Sequence, residues 1–406
     1  MNEKRTGRGA IVALACTVLL LFIPNYAQYQ LSPLAHLIMP AYNLDSTQFS
    51  MLFSSSMIAG ILLSLVAGLL ADRFGVKLVV GVTGAVSMAA IIARVFAPDF
   101  GTLFACMAIV GLLATFLNTN IAKIMGSWFP PEKVGLAVGI GLTGSNIAMA
   151  VGLGTSALFP SLKAVFIFTA GLGVLALAAW WLFFKDGPLS TRPAPESDSS
   201  DAHVSQPSLS ECLKVVVKSR NVWLIGVGLG MSLGAIMCII TFMPQVLQAT
   251  RGFEPAEAGA LSSVVTCGNI VGSVLGPLIL TRVGRFKPVG IALAIIAAAG
   301  TAFAWQLPEG PVLLICFFLT GFSLSGLMAI LVSAIVLLPE IGPVYAGTAG
   351  GICSTLQLVG AVVIPSYILM PILGENWPLF YGIGGILCLI AAVCVFILPE
   401  VLKRDA

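Results

Sequence analysis

The charged residues of this 406-residue chain are confined to short segments that separate long apolar runs. The stretch GLLADRFGVK (68–77) carries three charges and lies between the apolar runs MIAGILLSLVA and LVVGVTGAVSMAAIIA. Only 9% of the residues are charged and 58% are hydrophobic, with a mean hydropathy of +1.03. A soluble domain carries about 25% charged residues. No water-soluble fold can bury this much apolar surface, so the pattern predicts an all-α integral membrane protein.

Twelve apolar runs are long enough to cross a bilayer, which takes about 20 residues in a helix. We number them spans 1 to 12, and they cover residues 11–38, 48–71, 78–96, 102–126, 134–158, 164–184, 221–247, 258–280, 288–306, 312–338, 345–370 and 379–398. The sequence thus predicts a six-helix half at 1–184, a linker at 185–220 and a second six-helix half at 221–406. The linker is rich in Pro, Ser and acidic residues, a composition that predicts flexibility.

The two halves resemble each other in sequence. DRFGVK (72–77) after span 2 is echoed by TRVGRFK (281–287) after span 8, about 209 residues later. PPEKVGLAVGI (130–140) before span 5 is echoed by LPEIGPVYAGTAGGI (338–352) before span 11. Two six-helix halves in the same orientation are the parallel-repeat plan of many secondary transporters.

The distribution of Lys and Arg predicts the orientation of the chain. Most of the 20 basic residues fall on one side if both termini are cytoplasmic, as the positive-inside rule requires. The basic N-terminus MNEKRTGRGA precedes a long apolar run without a clear cleavage site, so we interpret that run as a retained first helix of a plasma-membrane protein. Arg94, Lys163 and Arg251 then fall at the outer side, and Arg94 is expected at the membrane interface.

The loop after span 2 resembles the signature of the major facilitator superfamily, in which Gly and two or three residues precede Asp-Arg-x-Gly and a basic residue. The matching residues are Gly68, Asp72, Arg73, Gly75 and Lys77. This sequence has Val76 where the family usually has a second basic residue. The resemblance implies a conformational gate in which Asp72 faces the start of helix 11, near Ala346–Gly350. The alternative is that these charges only anchor the loop at the lipid headgroups.

A narrower resemblance points to one branch of that superfamily. WFPPEKVGLAVGI (128–140) resembles the loop between helices 4 and 5 of cyanate, nitrate/nitrite and oxalate/formate carriers. GLTGSNIAMAVGLG (141–154) is similar to the glycine-rich helix 5 of nitrate carriers. Those nitrate carriers hold the anion with an arginine in helix 2 and another in helix 8. Spans 2 and 8 contain no Lys or Arg, so only the broad branch, and with it an organic anion, is implied.

Polar residues near the middle of several spans are candidates for a substrate site, because such sites lie near the bilayer midplane between the halves. The candidates at the span centres are Asn25, Asn146, Asn269, Ser325 and Gln357. Gln28, Tyr29 and Ser32 continue one face of span 1, and Asn120 precedes Lys123 by one turn in span 4. The amides can instead be hydrogen-bond links between helices. Likewise, the Lys123 amine can attract an anion or snorkel to the headgroups.

The sequence also predicts what the chain lacks. No acidic residue falls in the middle of a span, which disfavours a carboxylate-driven proton antiporter of cationic drugs. No catalytic pair, phosphate loop or metal motif is present, so we expect no enzyme activity, no cofactor and no nucleic-acid partner. The hypothesis is a monomeric secondary transporter, in contact with the lipid bilayer, that moves a small organic anion by alternating access. The alternatives are a carrier or exporter of a neutral or drug-like solute and a non-transporting membrane sensor or scaffold.

Overall fold

The computed structural model describes residues 2–185, 187, 216–338 and 340–400, and this part of the chain is helical. The helices are α1 (Asn2–Tyr29), α2 (Ala35–Tyr42), α3 (Ser46–Phe74), α4 (Val76–Ala93), α5 (Phe100–Trp128), α6 (Pro131–Thr155), α7 (Leu162–Phe183), α8 (Arg220–Arg251), α9 (Pro255–Val283), α10 (Phe286–Phe303), α11 (Pro311–Leu337), α12 (Gly342–Val363), α13 (Met370–Leu373) and α14 (Trp377–Ile397). Within the described residues, twelve helical segments are long and apolar enough to cross a membrane. The predicted all-α membrane fold with twelve spans is therefore confirmed.

The structure corrects span 1, which the apolar pattern predicts as one helix over 11–38. Helix α1 ends at Tyr29, residues 30–34 form a turn, and α2 begins at Ala35. Pro33 explains the break. A proline has no N–H for the helical ladder, and it pushes the preceding residue, Ser32, out of the helical region.

Span 11 is also less regular than its apolar pattern predicts. Helix α12 passes at Ile364 into a π-helix, Ile364–Leu369, and then into α13. Pro365 lies in the π-helix and removes one backbone donor from it. Short π segments inside α-helices are rare and occur often at functional sites.

The chain forms two compact units, which are described separately. Unit 1 comprises Met1–Gln28, Ser55–Ala148 and Ser161–Ser208, and unit 2 comprises Tyr29–Ser54, Met149–Pro160 and Leu209–Ala406. Unit 2 thus holds α2 and parts of α3 and α6 with every helix from α8 onward. Residues 188–215, most of the predicted linker, lie outside the described part, so the division into halves at 185–220 stays a prediction.

Glycines bring the helices of unit 2 into close contact. A Cβ atom on Gly272 of α9 would lie 2.7 Å from the Phe322 Cα atom of α11, and one on Gly321 would lie 2.8 Å from the Val265 carbonyl carbon. Membrane helices gain little from the hydrophobic effect against lipid and associate through close packing of small residues instead. The α9–α11 interface therefore requires glycine at these positions.

Unit 1 shows the same close packing and a well-capped helix start. A Cβ atom on Gly111 of α5 would lie 2.6 Å from the Ser56 carbonyl carbon of α3. At the start of α5, the Asp99 carboxylate accepts a hydrogen bond from the Thr102 backbone N–H at 2.8 Å. This backbone bond lowers the pKa of the exposed Asp99 carboxyl below its usual value.

Candidate functional site

Asn25 of α1 is held by two hydrogen bonds in unit 1. Its Nδ2 atom donates to the Leu21 carbonyl one turn earlier at 2.8 Å and to the Ser145 hydroxyl of α6 at 3.1 Å. The predicted candidate Asn146 follows Ser145 directly, and its side chain is partly buried. The amide of Asn25 thus links α1 to α6 beside Asn146. Whether these side chains also contact a substrate stays a prediction.

Asn120 and Lys123 have different surroundings, although they lie one turn apart on α5. Asn120 is 2% exposed, and its Nδ2 atom donates to the Phe116 carbonyl at 2.9 Å and to the Ala67 carbonyl of α3 at 3.2 Å. Lys123 is exposed. Asn120 therefore ties α5 to α3, whereas Lys123 lies on the exposed side of α5.

Unit 2 contains the candidates Asn269, Ser325 and Gln357. Asn269 of α9 is buried, and neither its Oδ1 atom nor the Thr266 hydroxyl has a hydrogen-bond partner among the described residues. These two residues are three apart and share a helix face. Ser325 of α11 and Gln357 of α12 are partly buried. Because buried polar atoms normally have a partner, the α9 face is suited to a polar ligand.

The two candidates at the end of α1 are both buried. The ring of Tyr29, in unit 2, packs edge-on against Phe53 with a centroid distance of 5.9 Å. Gln28 lies in unit 1. The helix that contributes them ends here, so their positions depend on the turn at 30–34.

The gate motif is only partly within the described side chains. Gly75 has a φ of +83° and directly precedes α4, a conformation that only glycine adopts readily. Arg73 is exposed, with its guanidinium 5.3 Å from the ring centroid of Phe74. The Lys77 carbonyl accepts a hydrogen bond from the Trp180 indole at 3.2 Å.

The contact predicted for this motif, between Asp72 and the start of helix 11, involves side chains that the structure does not describe. Asp72, Ala346 and Gly347 are among those residues. The predicted contact between Asp72 and the start of helix 11 therefore stays a prediction. For Gly68, a Cβ atom would lie 3.7 Å from the Thr119 side chain, an ordinary contact.

Three buried serines of unit 2 make hydrogen bonds to other segments of the unit, and we call them together the serine seal: Ser32, Ser50 and Ser366. The Ser50 hydroxyl of α3 donates to the Ser366 hydroxyl at 2.8 Å, and Ser366 donates to the Ser50 carbonyl at 3.0 Å. The Ser32 hydroxyl lies 2.7 Å from the carbonyl oxygens of both Ile240 and Thr241 in α8. The seal thus joins segments of spans 1 and 2 to spans 7 and 11.

A proline explains why Ser32 meets α8 at this point. Pro244 has no N–H, so the carbonyl of Ile240, four residues earlier, lacks its helical donor. The Ser32 hydroxyl fills that position at 2.7 Å. Sequence analysis named Ser32 only as a possible lining residue and did not single out Ser50 or Ser366. The signals available were Pro244 in span 7 and Pro365 beside Ser366.

The structure corrects the expectation that Arg94 is interfacial, because Arg94 is fully buried in unit 1. Its Nη1 atom donates to the Ala27 carbonyl at 3.1 Å, and its guanidinium lies 4.4 Å from the ring centroid of Phe166. Since α1 ends at Tyr29, the Ala27 carbonyl is among the last four that a helix leaves without an internal donor. Arg94 therefore caps the broken end of α1, where a cation is favoured by the helix dipole.

Comparisons with known proteins agree with this architecture. The family model described as Major Facilitator Superfamily matches residues 9–365. The chain is 23% identical over 379 residues to a probable chloroplastic anion transporter of Oryza sativa subsp. japonica, covering 88% of this chain and 69% of that protein. It is 24% identical over 392 residues to the probable sulfoacetate transporter SauU of Cupriavidus necator, covering 90% and 87%. The crystal structure of a bacterial homologue of the human lysosomal transporter Spinster, inward-facing and unoccupied, superposes with a TM-score of 0.76 at 14% identity, covering 96% of each chain.

Proposed function

Because the chain belongs to the major facilitator superfamily, we propose that this multi-pass membrane transporter moves a small organic anion by alternating access. The chain is a transporter and not an enzyme. We further propose that it resides in the plasma membrane as a monomer with both termini in the cytoplasm. The distribution of Lys and Arg among the loops supports this orientation.

The anionic substrate is supported first by the relatives. One is named for anions and the other for sulfoacetate, and both align over most of this chain. A small organic carboxylate or sulfonate is therefore the substrate class that we propose. The narrower assignment to the branch of cyanate, nitrate/nitrite and oxalate/formate carriers remains part of this proposal.

The observation that carries the proposal is the exposed Lys123, one turn beyond the buried Asn120. A cation within a membrane span is costly unless it lines an aqueous cavity, pairs or reaches the interface. We assign Lys123 the role of attracting the anion. Under the alternative, its amine only reaches the headgroups, and substrate binding does not depend on it.

A binding experiment separates these two roles. The purified protein is exposed to a panel of small carboxylates, sulfonates, neutral solutes and cationic solutes, and its thermal unfolding is followed. A ligand that binds only the folded state increases the free energy of unfolding, by about 2.7 kcal/mol at a concentration 100 times the Kd. The unfolding temperature rises accordingly. We expect an anion to stabilise the wild type and to lose at least tenfold in affinity in Lys123→Gln.

Lys133, which is also exposed, provides the matched control. Lys133→Gln removes one positive charge as well and should bind the anion as the wild type does. Equal binding by Lys123→Gln and the wild type would show that Lys123 is a headgroup anchor. A response to neutral or cationic compounds alone would favour the carrier or exporter of a neutral or drug-like solute.

Alternating access requires that one side of the transporter closes, and we assign that closure on the predicted outer side to the serine seal. Its serines come from spans 1, 2 and 11, and Ser32 bonds to two carbonyls of span 7. Asp72, with Arg73 and Lys77, is the proposed counterpart on the inner side. Hydrogen bonds between serine hydroxyls and carbonyls are weak enough, at about 0.5–1.5 kcal/mol each, to break in every cycle.

Cross-linking tests this closure. The hydroxyls of Ser50 and Ser366 are 2.8 Å apart, a separation compatible with a disulfide between cysteines at these positions. In the double variant Ser50→Cys/Ser366→Cys, oxidation should abolish transport and a reductant should restore it. Each single variant, with the native cysteines present, should be insensitive to oxidant. Full transport by the cross-linked protein would refute the assignment.

A further inference from the structure

A groove of about 360 Å³ lies between α10 and α11 of unit 2. Its walls are formed mainly by Ile295, Ala299, Phe303, Leu307, Cys316 and Leu319. The Thr320 hydroxyl at its edge donates to the Cys316 carbonyl at 2.6 Å, so that hydroxyl is already engaged. The groove is thus apolar, and its volume is within the range of about 300–1,000 Å³ that is typical of ligand sites.

Small residues create the groove where the two helices meet. Gly300 approaches α11 so closely that a Cβ atom there would lie 2.9 Å from the Thr320 Cβ atom. Beside this contact, Ala299 leaves space that a larger side chain would fill. The flanking Ile295 and Phe303 are 52% and 66% exposed, and both lie in a membrane-spanning segment. The groove therefore opens towards hydrocarbon.

One cation lies at the end of this groove. The Arg251 Nη1 atom, at the end of α8, donates to the Gln306 carbonyl at 2.9 Å and to the Trp305 carbonyl at 3.5 Å. The neighbouring residues Ala304 and Leu307 both line the groove. In the sequence, Arg251 is the only Lys or Arg between 221 and 281, and none occurs between 288 and 402. The apolar groove therefore leads to a single positive charge.

We propose that this groove binds one membrane phospholipid with an anionic headgroup. Its acyl chain lies along Ala299 and Phe303, and its phosphate group meets the Arg251 guanidinium. A guanidinium has five N–H donors in a planar fork that matches a phosphate, and Nη1 supplies only part of them to the two carbonyls. The exposed carboxylate of Glu309, two residues after Leu307, opposes the phosphate and reduces the affinity without abolishing it.

Native mass spectrometry of the full-length protein tests the site with two defined lipids. Phosphatidylglycerol and phosphatidylethanolamine of the same chain length are titrated separately. We expect the wild type to bind one phosphatidylglycerol about tenfold more tightly than phosphatidylethanolamine. Arg251→Gln retains an N–H donor for the Gln306 carbonyl but removes the charge, and it should lose that preference. Glu309→Gln should increase it.

Filling the groove tests the acyl-chain part of the proposal. Ala299 is exposed, so Ala299→Trp can occupy the groove without entering the helix interface, and it should weaken both lipids. A groove of about 320 Å³ lined by Leu19, Phe22 and Leu175 provides the control, because Leu175→Trp should leave the preference unchanged. The proposal is overturned if the phosphatidylglycerol preference survives in Arg251→Gln, or if Ala299→Trp binds both lipids as tightly as the wild type does. Should Ala299→Trp fail to fold, Ala299→Leu gives the same decision.

Discussion

The hydrogen bond between Ser32 and α8 predicts that Ser32 and Pro244, which are 212 positions apart in the chain, depend on each other. The Ser32 hydroxyl has one proton and two carbonyl acceptors at 2.7 Å, Ile240 and Thr241. Pro244 leaves Ile240 without a helical donor, whereas Thr241 can accept from the N–H four residues later. The Ser32 hydroxyl should therefore donate its proton to the Ile240 carbonyl. The contribution of Ser32 to the free energy of unfolding should then depend on Pro244.

The magnitude follows from the burial of these groups. Ser32 is fully buried, so Ser32→Ala leaves the Ile240 carbonyl desolvated and without a donor, at a cost of about 1–3 kcal/mol. Pro244→Ala supplies an N–H to that carbonyl from within α8. In the Pro244→Ala background we expect Ser32→Ala to cost under about 1 kcal/mol. The two substitutions should thus be coupled by about 1 kcal/mol or more, as residues of one hydrogen-bond network are.

The assay is the free energy of unfolding of four proteins in mixed lipid–detergent micelles: the wild type, the two single variants and the double variant. Pro277→Ala, in the interior of α9, controls for the general effect of removing a helix proline and should show no coupling to Ser32→Ala. If Ser32→Ala lowers the free energy of unfolding equally with and without Pro244, the Ser32 hydroxyl does not donate to the Ile240 carbonyl and the reasoning is refuted.

Three further substitutions test the backbone and a helix cap. Gly75→Ala should lower the free energy of unfolding by about 1–3 kcal/mol, because the positive φ at this position suits only glycine. Gly68→Ala should be tolerated. Thermal unfolding measures both variants, and equal effects would contradict the argument. Gly272→Leu should separate α9 from α11 and strongly reduce the yield of folded protein, while Gly382→Leu, with no atom within 4 Å of its Cβ position, should not; comparable yields would refute this. Since the folded-state pKa of Asp99 is lowered, its cap stabilises the protein at neutral pH and is lost as the pH falls through that pKa. Asp99→Asn should reduce the loss of unfolding temperature between about pH 6 and pH 3, and an unchanged loss would exclude the cap.

The sequence predicts the spans well because their length and apolarity are set locally by the bilayer. It fails where one residue overrides a run of apolar neighbours. Pro33 breaks span 1 although apolar residues such as Leu31, Leu34 and Leu37 continue on both sides of it, and counting apolar residues does not detect that break. Pro24, Pro244 and Pro277 lie inside continuous helices, so a proline by itself does not mark the end of a helix either.

Side-chain partners could not be predicted, since they depend on which helix faces meet. Asn25 bonds to Ser145, 120 residues away, and no spacing rule connects these two positions. Arg94 was expected at the interface because it lies at the end of a span. Its burial requires the broken end of α1 and the Phe166 ring together, and both become visible only once three helices are packed.

The glycine contact between α9 and α11 also has a consequence for how the chain is made. Helix α9 leaves the ribosome well before α11, which ends at Leu337. At roughly 5–20 residues per second, the chain from Val283 to Leu337 takes roughly 3–11 s to synthesise. During that interval Gly272 has no partner helix, and the polar amide of Asn269 already lies within the membrane. The interface of α9 must therefore be kept from wrong contacts until α11 is inserted. A chain truncated after α10 lacks that partner helix and should be a preferred substrate of membrane quality-control proteases.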